Sequence, residues 1–172
     1  LSGTEVETIK DWKNDLSGVV VGFVTLTISI SNARNKALVI QEVQSSLRTA
    51  TGIISERIRA SNGVNTSLST FNTHPGTLSL SMADSGKDPT IIDLNATNKV
   101  IQITEGSSGD PAVPVTSNAV EITNLVFTNL TPSLSNRREN IRIQITAGYK
   151  GAVGDTGYNF TETTETSVSL RQ

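Results

Sequence analysis

The sequence predicts an α+β fold: a long N-terminal α-helix packed on an antiparallel β-sheet. Two observations predict it. Between Val19 and Ser61 there is no proline, and Val39/Ile40, Val43, Leu47, Ala50, Ile54 and Ile58 recur at helical spacing. Beyond Asn62-Gly63, a helix stop signal, short apolar/polar alternations are separated by Gly, Pro, Asn, Asp and Ser clusters. Three segments follow: 1–18, a polar N-terminal stretch; 19–62, a helical stalk; and 63–172, a β-rich head.

Residues 1–18 carry six charges, Glu5, Glu7, Lys10, Asp11, Lys13 and Asp15. Val6, Ile9, Trp12 and Leu16 recur at helical spacing and predict a short amphipathic helix. Ser2 or Thr4 is placed to cap it, and its early acids suit the helix dipole. Gly18 is expected to interrupt or end it. The ordered basic, apolar and cleavage regions of a signal peptide are not visible.

Residues 19–30 are β-branched and have strand propensity. They run without a turn signal into the clear helix, so helix is the expectation. At 1.5 Å per residue, the 43 residues of 19–61 span roughly 64 Å. That is longer than a head of this size needs, so the N-terminal end is expected to project. Its apolar residues, Val19, Val20, Val21, Phe23, Val24 and Leu26, then require a partner or a membrane. The apolar run counts about a dozen residues, short of the roughly 20 that span a bilayer.

The head is expected to hold strands at Leu78–Met82, Ile91–Leu94, Val100–Ile103, Val120–Phe127, Ile141–Ala147 and Thr166–Leu170. Alternation gives each strand one buried and one wet face, the pattern of an antiparallel sheet. The helix is the natural cover for the apolar face. Two Gly-rich loops, Glu105–Pro114 and Gly148–Phe160, are expected on the surface.

Composition narrows the function. The chain has 172 residues, of which 35% are hydrophobic and 17% charged. Ser, Thr and Asn number 20, 23 and 14. The formal net charge of -2 gives no polyanion-binding surface. There is no cysteine, which removes disulfides, thiolate metal sites and cysteine nucleophiles. One histidine, His74, is all that a His-based triad or metal site would have. No paired acid/base or nucleophile constellation has mechanism-grade spacing. The expectation is a non-enzyme with no catalytic residue, no metal and no cofactor.

Four motifs, in order, resemble one family. Gln41-Glu42-Val43-Gln44-Ser45-Ser46-Leu47-Arg48-Thr49-Ala50, continuing through Ile53–Ser61, is similar to the helix of type IV minor pilins and pseudopilins. Val120–Thr128, Glu139–Thr146 and Glu165–Arg171 resemble three of that family's strands. The resemblance covers residues 19–172. It implies a helical stalk, a sheet-bearing head, no catalysis, and assembly into a filament through the helices. The implied partners are other pilin or pseudopilin subunits, with the inner membrane as anchor before assembly. The implied location is the cell envelope or an extracellular filament. No small-molecule substrate is implied, and DNA or a surface ligand has no support of its own.

On this reading Val20, Phe23, Val24, Leu26 and Ile30 make filament contacts. Val43, Leu47, Ile54 and Ile58 face the subunit's own sheet. Tyr149, Lys150, Asp155 and Tyr158 form the loop surface best suited to a ligand. One departure from the family is plain. A mature pilin opens on a long apolar run, usually from Phe, whereas residues 1–18 open on Leu1 and are charged. They are read as a soluble segment standing in place of the membrane half; the alternative is a difference native to this protein. Glu5 matches a family assembly position, but that role is not carried over.

Smaller features have plain readings. Four Asn-X-Thr/Ser triplets, at Asn65, Asn95, Asn129 and Asn159, are chance matches in an Asn/Thr-rich chain. Asp84–Asp88 and Gly154–Gly157 are turns with too few carboxylates for Ca²⁺. His74 sits in a loop. Arg137-Arg138 is a solvated turn. Two other functions compete with the pilin reading: a surface adhesin or carbohydrate-binding β-domain, and a phage structural protein with a helical arm.

Overall fold

The computed structural model describes the backbone of residues 3–106, 111–131, 139–151 and 159–171, and side chains from Trp12 onward, Asn14 excepted. The architecture is α+β. One long helix, α1 (Gly3–Ala60), precedes β1 (Gly63–Val64), β2 (Leu78–Ser81), β3 (Thr90–Asn95) and β4 (Val100–Glu105). Then come β5 (Val113–Pro114), β6 (Val120–Asn129), β7 (Asn140–Tyr149) and β8 (Thr161–Ser169). The chain divides into two compact units, Leu1–Leu38 and Val39–Gln172.

The described residues of the first unit are helix alone. The helix passes through Gly18 without a break, which corrects the expectation of a short first helix ending there. The interior glycines Gly18 and Gly22 each cost about 1 kcal/mol relative to alanine, and no proline adds to it. Thr4 lies inside the helix and so is not its cap. The β-branched residues of 19–30 are helical, within α1. A helix satisfies its own backbone N–H and C=O groups, and a lone strand does not.

In the second unit, α1 buries Val39, Val43, Leu47, Ala50, Ile54 and Ile58. Their spacing of three or four residues keeps them on one stripe. The last five join one core cluster with strand residues that include Leu78, Leu80, Ile92, Ile101, Leu125, Phe127, Ile143 and Ile145. Fully burying side chains of this size is worth about 1.5–3 kcal/mol each.

The strands form two antiparallel sheets, not the single sheet expected. Their orders are β1-β2-β3-β4-β5 and β6-β7-β8. In the second sheet β6 and β7 pair from Val120↔Tyr149 to Asn129↔Ile141, with a bulge between Ile122 and Asn124. β8 pairs with β7 from Gly148↔Thr161 to Asn140↔Ser169. β1 and β5 were not expected. Each has two residues, too few for an alternation to show. Glu105 ends β4 and Val113-Pro114 is β5, so the first Gly-rich loop is shorter than predicted.

Backbone hydrogen bonds fasten the two sheets. The Ile122 N–H donates to the Lys99 carbonyl at 2.9 Å. Lys99 closes the β3–β4 turn at φ 54°, with its N–H donating to the Asn95 carbonyl. The Asn95 side chain accepts from the N–H groups of Thr97 and Asn98 and donates to Gln102. The outer edge of β6 is covered by residues 72–76. There Asn72 N–H donates to Phe127 O, and Gly76 N–H to Leu125 O. The Leu125 N–H in turn donates to His74 Nδ1 at 2.9 Å.

Candidate functional site

The residues with the plainest functional implication lie on the first unit. Val20, Phe23, Val24, Leu26 and Ile30 are all exposed, Phe23 at 67% and Val24 at 53%. Trp12, Leu16, Val19, Val21 and Ile28 are exposed with them. Exposed apolar residues standing singly are ordinary, but ten within nineteen positions of one helix make a contiguous patch that marks an interaction site.

The patch surrounds the helix. No charged residue occurs from Leu16 to Ala33, a stretch of 18 residues. At helical rise that is about 27 Å, against a hydrocarbon core of roughly 30 Å. Part of α1 is therefore long and apolar enough to cross a membrane. This corrects the expectation that the apolar run is too short. That count ran from Val19 to Ile30 and stopped at Ser17, Gly18, Ser31 and Asn32, none of which carries a charge. Charges close both ends: Lys13 and Asp15 before, Arg34 and Lys36 after.

The polar residues inside the stretch are partly neutralised by the helix itself. Thr25 Oγ1 donates to the Val21 carbonyl at 2.9 Å, and Thr27 Oγ1 to Phe23 at 2.8 Å. A hydroxyl bonded to the carbonyl four residues back presents its methyl outward and leaves no donor unmet.

The helix-to-sheet residues Val43, Leu47, Ile54 and Ile58 are buried in the second unit, as described above. Of the predicted loop surface, Tyr149 and Lys150 are among the described residues. Tyr149 is the last residue of β7 and is half-buried against the core, beside Phe160. Lys150 is exposed, its N–H held by the Ala119 carbonyl at 2.9 Å. Asp155 and Tyr158 lie outside the described residues, as do Gly154–Gly157 and Arg137-Arg138.

The remaining polar features are structural. Asp84 Oδ1 accepts from Gly86 N–H, and Asp88 Oδ1 from Met82 N–H, which places both carboxylates in turns. Among the described residues no cluster of His, Asp and Glu is placed to hold a metal. A groove of about 870 Å³ runs between Thr49, Ile53 and Arg57 of α1 and Ile103, Glu105 and Val113 of the first sheet. Three of its charges meet: Arg57 lies 2.7 Å and Lys87 3.9 Å from Glu105.

Sequence reasoning set Trp12 and Leu16 apart from the contact residues because it divided the helix at Gly18. It also missed that His74 is an acceptor for β6, a tertiary contact with no local signature. No family model, curated protein or solved structure matches this chain.

Proposed function

We propose that this chain is a structural subunit of the minor pilin or pseudopilin type. It is held in a membrane by α1 before assembly and then joins a type IV pilus or a type II secretion-like filament through the same helix. Its role is mechanical, with no catalysis. One observation carries the reading. A single helix has an uncharged, fully exposed stretch at Leu16–Ala33 and a buried core stripe from Val39 to Ile58. A helix that only served the core would have no use for the first part. Burial of exposed apolar area against neighbouring helices, at about 25 cal/mol per Å², is the driving force for assembly in water-facing regions. Within the bilayer, packing and hydrogen bonding take its place.

The adhesin reading has less behind it, because Tyr149 and Phe160 pack toward the core instead of standing at a loop tip. The test is flotation of the full chain with membrane vesicles, followed by chemical cross-linking. The expected result is co-flotation with dimers and higher species. A chain recovered free of vesicles and wholly monomeric overturns the proposal.

A further inference from the structure

The apolar residues of the first unit are not evenly spread. Trp12, Leu16, Val19, Phe23, Leu26 and Ile30 follow one another at intervals of 4, 3, 4, 3 and 4. The same alternation reaches back to Ile9 and forward to Ala33 and Ala37. The first eight positions are the a and d sites of four consecutive heptads, Ala37 opens a fifth, and every one of the nine is apolar. Each of the other five heptad sites carries at least two polar or charged residues. One site takes Lys13, Thr27 and Arg34, another Asp15, Ser29 and Lys36, and a third Asp11, Thr25 and Asn32.

A lipid environment alone does not produce this pattern. It accounts for Val20, Val21, Val24 and Ile28, which lie off the repeat but within the uncharged stretch. It does not account for a seam that stays apolar on both sides of it, among Lys10, Asp11, Lys13 and Asp15 before, and Arg34 and Lys36 after. An apolar line that crosses charged flanks without interruption needs a protein surface along its whole length. From Trp12 to Ala37 every seam side chain is exposed in the isolated chain.

We infer that this seam is occupied by the same seam of a second copy of the chain, in a parallel, in-register, left-handed pair of α1 helices. The inference rests on the reading of α1 as an assembly helix and specifies its partner and its contact face. A seven-residue repeat selects left-handed supercoiling. Two copies inserted by one route are parallel. Their registers agree because both hold Leu16–Ala33 at the same depth in the bilayer; a shift of one heptad would carry Lys10, Asp11 and Lys13 inward. Ile9 to Ala37 gives a seam of about 43 Å. Val20, Val24 and Ile28 then face lipid or further subunits.

The chain contains no cysteine, so single-cysteine variants report without background. The experiment oxidises the full chain, reconstituted in phosphatidylcholine vesicles, in variants Trp12→Cys, Leu16→Cys, Val19→Cys, Phe23→Cys and Leu26→Cys. Val20→Cys, Val24→Cys, Ile28→Cys, Gly18→Cys and Gly22→Cys are the comparison set. A disulfide needs Cβ atoms within about 3.5–4.5 Å, so only residues facing their own copy link. The seam set is expected to dimerise at least about fivefold faster than the comparison set, Trp12→Cys included.

Four results overturn the inference. Faster linking at Gly18 and Gly22 places the contact on the small-residue face instead. Equal linking at all positions, or linking of the seam without Trp12→Cys, denies the continuous seam while leaving assembly through α1 standing. Absence of linking at every position, in chain that co-floats with the vesicles and yields no dimers to an amine-reactive cross-linker, removes both the pair and the assembly reading. None of these substitutions touches the buried core, so a folded second unit is expected throughout.

Discussion

The carboxylate of Glu139 accepts a hydrogen bond from the Val64 backbone N–H at 2.8 Å, across 75 positions of sequence. Val64 is in β1 of one sheet, and Glu139 immediately precedes β7 of the other. The Glu139 carbonyl accepts a second bond, from Leu170 N–H at 2.9 Å. One residue thus ties β1, β7 and the chain following β8. Glu139→Ala leaves the half-buried Val64 amide without its acceptor and is expected to cost about 1–3 kcal/mol. Glu139→Gln keeps an oxygen in place and should cost less than about 1 kcal/mol. Urea midpoints at unchanged slope measure both; equal losses would refute the hydrogen-bond account.

His74 and Gly76 guard the edge of β6, and each has a separate signature. His74→Ala removes the acceptor of the Leu125 N–H, with an expected loss of about 1–2 kcal/mol, blunted where water reaches the exposed loop. Gly76→Ala fails for a different reason. A Cβ there would sit 3.1 Å from the Leu125 carbonyl oxygen and 3.2 Å from the Phe127 nitrogen, both backbone atoms. Crowding of this kind costs roughly 1–3 kcal/mol. A neutral Gly76→Ala, read by thermal unfolding, would show that β6 gives way.

The core and the exposed helix should respond oppositely to truncation. Ile54→Ala empties a fully buried site and is expected to lose about 2–5 kcal/mol. Val20→Ala changes an exposed residue and should stay within about 0.5 kcal/mol of the parent in detergent solution. Denaturant titration of the two variants side by side decides this.

Membrane insertion is sensitive to a single charge. Val24→Lys places an ammonium near the middle of the uncharged stretch, at a cost of about 2.5–3.5 kcal/mol on insertion scales. Vesicle-bound chain should fall by roughly 100-fold relative to free chain. The urea midpoint of the second unit should not move. Unchanged flotation would remove the membrane reading of Leu16–Ala33.

The ion pair between Arg57 and Glu105 is a smaller lever. Both side chains are about one-third exposed, so Glu105→Gln is expected to cost under about 1 kcal/mol. The difference should shrink between low and high salt. A salt-independent loss would point to packing along the groove instead.

What could be read from the sequence depended on pattern length. The stripe Val43, Leu47, Ile54, Ile58 fixes a helix because about four turns repeat the same spacing. Ile141–Ala147 fixes a strand because every second residue is apolar. β1 and β5 have no such repeat and exist only because β2 and β4 offer them an edge. The division into two sheets was equally hidden. It depends on Ile122 meeting Lys99, a contact between residues with nothing in their neighbourhoods to announce it. Gly18 misled because a local breaker signal was weighed without the uninterrupted helical context on both sides. Splitting the chain there also concealed the repeat running from Ile9 through Ala37, although each of its members was in plain view.

The sheet borders have a bearing on subunits stacked side by side. β1 and β5 are stubs, and β5 contains Pro114, which lacks a donor. β6 is bandaged by residues 72–76. β8 is long, but it carries two charged side chains, Glu162 and Glu165, the second paired with Arg142 of β7 at 3.5 Å. In a filament the heads are held at millimolar local concentration for as long as the fibre lasts, a setting in which open strand borders would fuse neighbours indiscriminately. Under the proposed assembly, heads finished in this way can be crowded without sticking, and the choice of neighbour then falls to the helix.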